Sequence, residues 1–215
     1  MGNIFKQWLI LLLIVILPAC NNAVSRLYGI RSSKFLDDNE IAALANKFKI
    51  SDGIYSLDTN FISALNNFEY SEQLKNNPGP HPVKYKFRQP LLIVVFNNAT
   101  GRQLSFLNNC YAPGFPNLKW RTKNNMQHFP AIGGTPTDTL VNLNDIVTYL
   151  KPIQAATLKE KKYSMLVFWN QYLGRQTGRY LNEVHNYIIK NKVKDISDIY
   201  YVNNDNFLYA IEHNR

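Results

Sequence analysis

Tyr163-Ser164-Met165-Leu166-Val167-Phe168-Trp169, followed at once by Asn170-Gln171-Tyr172-Leu173-Gly174-Arg175-Gln176, is the stretch on which the fold turns. Its first half has an unbroken apolar centre and reads as a strand buried on both faces. A helix is expected from Gly178 to Lys190, because Leu181, Val184, His185 and Ile188 fall on one face. Ile199 to Val202 reads as a further strand. Strand, helix and strand in that order belong to an α/β architecture.

Working towards the N-terminus, Pro90 leads a second buried strand, Leu91 to Phe96. Asn97-Asn98-Ala99-Thr100-Gly101 reads as a hairpin turn, and Arg102 to Leu107 returns with Leu104 and Phe106 alternating. Asn108 to Pro136 is irregular, with its aromatics either a satellite core or a contact surface. Asn142 with Asp145 three residues on signals a helix whose inner face is Leu143, Ile146, Val147 and Leu150, stopped by Lys151-Pro152. Asp37-Asp38-Asn39 caps another helix, with Ile41, Leu44, Ala45 and Phe48 inward. Asp52-Gly53 turns the chain into a short strand, Ile54 to Leu57, and Thr59 to Asn67 reads as helix. Asn76 to Pro82 reads as a loop. Ile54 to Phe61 is echoed by Ile199 to Phe207 with one insertion, either a repeated strand-turn-helix unit or a chance likeness.

Phe168-Trp169-Asn170-Gln171-Tyr172-Leu173-Gly174-Arg175-Gln176 resembles the active-site segment of thioredoxin-like proteins, in which a buried strand, Phe-Trp and an aromatic lead into Cys-Gly-x-Cys at the start of a helix. Leu173 and Gln176 stand at the two cysteine positions, and Gly174 is kept. The proline-led hairpin from Gln89 onward is similar to that family's hairpin, whose proline is cis and lies beside the reactive sulfurs. The resemblance implies a thioredoxin-like mixed sheet flanked by helices over 36–155, with 156–215 as an additional C-terminal β-α-β unit that docks on it through Val167, Phe168 and Ile199. Arg26 to Ile30 would supply the first strand of the family's fold, or Tyr163 to Trp169 could instead supply it, rearranged in chain order.

The first twenty residues address the chain elsewhere. Lys6 precedes ten apolar residues, Trp8 to Leu17, too few to span a bilayer but suited to a signal peptide over 1–19. Leu17-Pro18-Ala19-Cys20 resembles the bacterial lipobox, which implies acylation of Cys20 and a lipidated tether over 20–35; an uncleaved anchor is the alternative. Asn21 at the next position is not the aspartate that resembles an inner-membrane retention signal. The expected location is the bacterial envelope, at the outer membrane and facing the periplasm.

The 215 residues hold 24 basic and 15 acidic side chains, a net charge of +9. Cleavage before Cys20 would remove one of the basic residues, Lys6. The remaining excess suits anionic head groups or acidic partners, while nucleic acid is not expected of an exported lipoprotein. Lys159 to Lys162 reads as a solvated loop. With Cys20 lipidated, Cys110 is the single thiol left: a peroxidatic or mixed-disulfide centre, an intermolecular disulfide, or a buried inert group. His81, His128, His185 and His213 are too scattered for a metal site. His185 reads as a core histidine, and Asp37, Asp38 and Asp58 as helix caps. No nucleotide-binding or serine-hydrolase motif is present, and no cofactor is expected. Thiol exchange cannot run through Leu173 and Gln176. The expectation is a non-catalytic scaffold that docks an envelope protein or peptide through Tyr172, Leu173, Gly174, Arg175, Gln176 and Pro90, with the 108–136 loop beside them. A thiol-dependent oxidoreductase or peroxidase using Cys110 is the alternative.

Overall fold

The computed structural model describes residues 29–51, 53–69, 86–114, 118–121, 124–131, 141–154 and 161–213. The signal peptide, Cys20, most of the tether, His81, Phe115 and Gly133 to Pro136 lie outside the described residues.

Six strands form one mixed sheet: β1 (Ile54–Leu57), β2 (Leu92–Asn97), β3 (Gln103–Asn108), β4 (Leu150–Gln154), β5 (Tyr163–Trp169) and β6 (Ser197–Asn203), in the spatial order β3-β2-β5-β6-β1-β4. β5, β6 and β1 run parallel. β2 pairs antiparallel with both β5 and β3, and β4 closes the far edge antiparallel to β1. Among the described residues the α-helices are α1 (Asp38–Lys47), α2 (Phe61–Glu69), α3 (Leu143–Val147), α4 (Arg175–Lys190), α5 (Val193–Ile196) and α6 (Asp205–His213).

The period-two pattern of the strands divides the core. Ile93, Val95, Met165, Val167 and Trp169 face α1 and α4, meeting Ile41, Ala45, Tyr180, Leu181 and Val184. Their neighbours Leu92, Val94, Phe96, Leu166, Phe168 and Val202 face the other way, onto Phe61, Ile146 and Phe207 of α2, α3 and α6. Burial on both faces explains why β2 and β5 read as continuous apolar runs. Each fully buried large side chain contributes about 2 kcal/mol. Asn142 and Asp37 both complete capping boxes at the helix starts expected of them.

Chain order misleads about the architecture. Residues 156–215 do not form a unit docked on a finished domain: β5 and β6 are the centre of the single sheet, between β2 and β1. Val167 and Phe168 are buried, Ile199 only partly. Lys151-Pro152 does not end a helix either. The helix stops at Val147, and Pro152 lies within β4, an edge strand where a missing N–H costs little. α4 begins three residues earlier than its apolar face suggests, and α6 extends the chain past β6. The Gln89–Pro90 bond is trans; among the described residues the cis bond is at Phe129–Pro130.

Candidate functional site

The parallel strands β5, β6 and β1 end on the same edge of the sheet, and antiparallel pairing brings the start of β2 and the end of β3 there too. Carboxyl ends of parallel strands are where α/β sheets place ligands. Five of the expected residues, Tyr172 to Gln176, lie at the end of β5, and Pro90 lies beside them at the start of β2.

Asn170, next after β5, is the tie between them. Its Nδ2 donates to the Pro90 carbonyl at 2.7 Å and to Asn204 Oδ1 at 3.2 Å, while its Oδ1 accepts from the Leu173 amide at 3.0 Å. Asn204 Nδ2 reaches the same Pro90 carbonyl at 3.2 Å. Asp205, 2% exposed, accepts the Gln171 amide at 2.9 Å and Asn203 Nδ2 at 2.9 Å. Burial pushes the Asp205 carboxyl above the usual aspartate range, and the bonds from Asn203, Gln171 and Tyr172 oppose that shift. Asn206 clasps the chain before α1: its Oδ1 accepts the Leu36 amide at 2.7 Å and its Nδ2 donates to the Leu36 carbonyl at 2.9 Å. The run Asn203-Asn204-Asp205-Asn206 is thus a buried polar hub. Sequence reasoning read it as a turn, and four consecutive amide and acid side chains after a strand were the available signal.

The six expected binding residues do not all present themselves to a partner. Leu173 and Gln176 are buried, and Gln176 Oε1 accepts the Leu118 amide at 3.3 Å. Tyr172, Gly174 and Pro90 are partly exposed, and Arg175 is exposed. An irregular strap, 29–37, crosses the start of α4, with the Arg31 amide donating to the Tyr172 carbonyl at 2.8 Å. Gly174, with φ of 44°, caps α4 without a side-chain bond. A Cβ there would lie 1.9 Å from the Gly29 carbonyl oxygen, so only glycine lets the strap pass.

The two loop aromatics whose side chains are described, Trp120 and Phe129, belong to the core. Trp120, 3% exposed, packs on Tyr180 at 4.7 Å between ring centroids, and Phe129 stacks edge-on to Tyr163. Ser105 Oγ donates to the Ala131 carbonyl, fastening this segment to β3.

Cys110 is exposed, not buried, and lies at the same sheet edge just past β3. Its sulfur is 3.4 Å from Gln89 Oε1. Burial of the sulfur's surroundings pushes the thiol up, opposite to what a nucleophilic thiolate needs. His185 is half-buried, and burial together with Lys194 and Lys49 holds its imidazole below the usual range. Among the described residues no group of three or more His, Cys, Asp or Glu could hold a metal, and no helix is long and apolar enough to cross a membrane. Asp37 and Asp58 act as caps: their carboxylates accept the Glu40 and Asn60 amides, each at 2.8 Å. Asp38 pairs with Lys151 at 2.8 Å.

No family model, no curated protein and no solved structure matches the chain.

Proposed function

We propose that the chain is a non-catalytic, thioredoxin-like envelope lipoprotein that acts as a binding module, rearranged in chain order and anchored through Cys20. The observation that carries this reading is the bond from Asn170 to the Pro90 carbonyl. It puts the proline-led hairpin against the segment that opens α4, the juxtaposition that the resemblance to thioredoxin-like proteins implies. The mixed sheet flanked by helices is compatible with it. At the cysteine positions, buried Leu173 packs in the core and buried Gln176 holds Leu118, so both side chains serve structure rather than exchange. A scaffold fits this rigid, hydrogen-bonded edge better than an enzyme using Cys110, whose raised thiol pKa works against attack.

Two measurements test the reading. Labelled palmitate should enter the wild-type chain in bacterial cells and not the Cys20→Ala variant; equal labelling would remove the anchor. A photo-crosslinking side chain at Tyr172 should capture a discrete envelope adduct that the same group at Lys190 does not. Disulfide reduction or peroxide turnover by the wild type, lost in Cys110→Ser, would overturn the non-catalytic reading.

A further inference from the structure

Between the strap, α1 and the start of α4 lies a cleft of about 530 Å³. Arg31 from the strap, Lys47 from the last turn of α1 and Arg175 from the first turn of α4 line it, and among the described residues none of those lining it is acidic. Ile30, Leu44 and Phe48 give it an apolar wall, behind which Phe48 packs edge-on to Trp169 at 5.8 Å.

Two independent features mark this cleft as a place for an anion. The first is α4 itself: sixteen residues long, opened by Gly174 without a side-chain cap and with no acidic residue in its first turn, so its partial positive end faces the cleft uncapped by a side chain. The second is Gln171, which also lines the cleft. It is 5% exposed, and its Nε2 is sealed from solvent with no hydrogen-bond partner among the described residues. A buried amide donor left unpaired is destabilising. The terminal torsion of a glutamine is soft, so the amide can turn to meet an acceptor arriving in the cleft. Elsewhere on this sheet edge the buried amides of Asn170, Asn204 and Asn206 are all bonded.

We propose that this cleft receives the free carboxyl end of a partner peptide. The carboxylate sits at the start of α4 among Arg31, Lys47 and Arg175 and accepts from Gln171; an apolar last side chain lies on Leu44 and Phe48. Guanidinium groups suit a planar carboxylate because they donate two parallel bonds, and capture of a peptide terminus by backbone and basic groups is an established mode of recognition. The apolar wall selects a peptide end over an inorganic anion. This proposal rests on the binding-module reading and gives it a ligand class.

The test uses the full chain in detergent micelles and calorimetric titration with acetyl-trialanyl-leucine, its C-terminal amide and inorganic phosphate. The free acid should bind at least about tenfold more tightly than the amide. Arg175→Glu and Lys47→Glu, both at exposed positions, should each weaken the acid about tenfold or more and leave thermal unfolding close to wild type. Gln171→Met should weaken the acid and leave phosphate unaffected. Equal binding of acid and amide would overturn the proposal, as would phosphate competing as strongly as the peptide acid. If the acid does not bind while the Tyr172 crosslink persists, the carboxylate proposal fails and the binding module stands. If neither binding nor crosslink is seen, both fail.

Discussion

The corner from β1 into α2 and the corner from β6 into α6 come from echoing strings of residues, Ile54 to Phe61 and Ile199 to Phe207, yet they sit in opposite surroundings. The strands are parallel neighbours, with Ile54 beside Tyr201 and Ser56 beside Asn203. Their two phenylalanines meet in the core, 5.9 Å between ring centroids. At the first corner Asp58 and Asn60 are exposed, and Asp58 lines an open cleft together with Lys151 and Asp37. At the second, Asn203 and Asn204 are fully buried and Asp205 nearly so. The cause is position in the sheet. β1 has only the short edge strand β4 beyond it, whereas β6 is roofed by the Asn170–Gly174 segment on one side and by Leu36 of the strap on the other. The same backbone turn is therefore a solvated cap in one place and a structural hub in the other.

Removing the two acids should separate the corners most widely. Asp205→Ala strips a buried acceptor from Gln171 and Asn203 and should cost about 3–5 kcal/mol in urea unfolding. Asp58→Ala loses one exposed turn bond and should cost about 1 kcal/mol or less. Similar costs at both positions would mean that the hub is no more than a turn. Asn206→Ala should come next, at about 1–3 kcal/mol, because it leaves both Leu36 backbone groups unpaired. Its specific sign is faster hydrogen exchange at the Leu36 amide than at Ile41; unchanged exchange at Leu36 would deny the clasp.

A smaller effect is a slope with pH. The folded Asp205 carboxyl binds its proton more tightly than the ordinary aspartate value of 3.8, so the native state holds more proton than the unfolded chain just above that pH. The contribution is fully present below 3.8 and is lost as pH rises through the folded value. The stability of the wild type relative to Asp205→Asn should therefore fall with rising pH in that window, read from urea titrations at a series of pH values. A flat difference would place the proton elsewhere. Smallest in energy is the Cys110 thiol, which is exposed but raised by burial. Alkylation should proceed without denaturant, slowly at pH 6 and faster as the solution becomes alkaline. Rapid labelling at pH 6 would restore a reactive thiolate.

Where the sequence was informative, the reason is local. The apolar runs of β2 and β5, the faces of α1 and α4 and the capping boxes at Asp37 and Asn142 depend on residues close in the chain, and periodicity exposes them. Strand order depends on pairing between distant segments, so nothing near Tyr163 to Trp169 says that this strand inserts between β2 and β6. β4 was hidden because Pro152 punctuates a helix and is equally at home on a sheet edge. Pro90 and Asn170 to Gln176 were recognisable as partners through a family pattern, but the groups that hold them together, Asn204 and Asp205, are polar residues whose burial only tertiary packing decides. The same holds for the cleft: Arg31, Lys47 and Arg175 are far apart in the chain and were not singled out as a group.

The clasp of Asn206 on Leu36, the Ser33 hydroxyl on Glu212 and the Arg31 amide on Tyr172 also set a length. If the body began at α1, a lipid on Cys20 would leave about eighteen peptide steps of leash, a reach of up to about 60 Å. With Gly29 already pressed against Gly174, that lipid would leave about nine steps, and the reach would be at most about 30 Å. Were Cys20 lipidated, a module within that reach would explore only a thin shell above the bilayer, with the basic cleft beside Gly29 held nearest. Any partner would have to bring its chain end down to the bilayer surface to be met there.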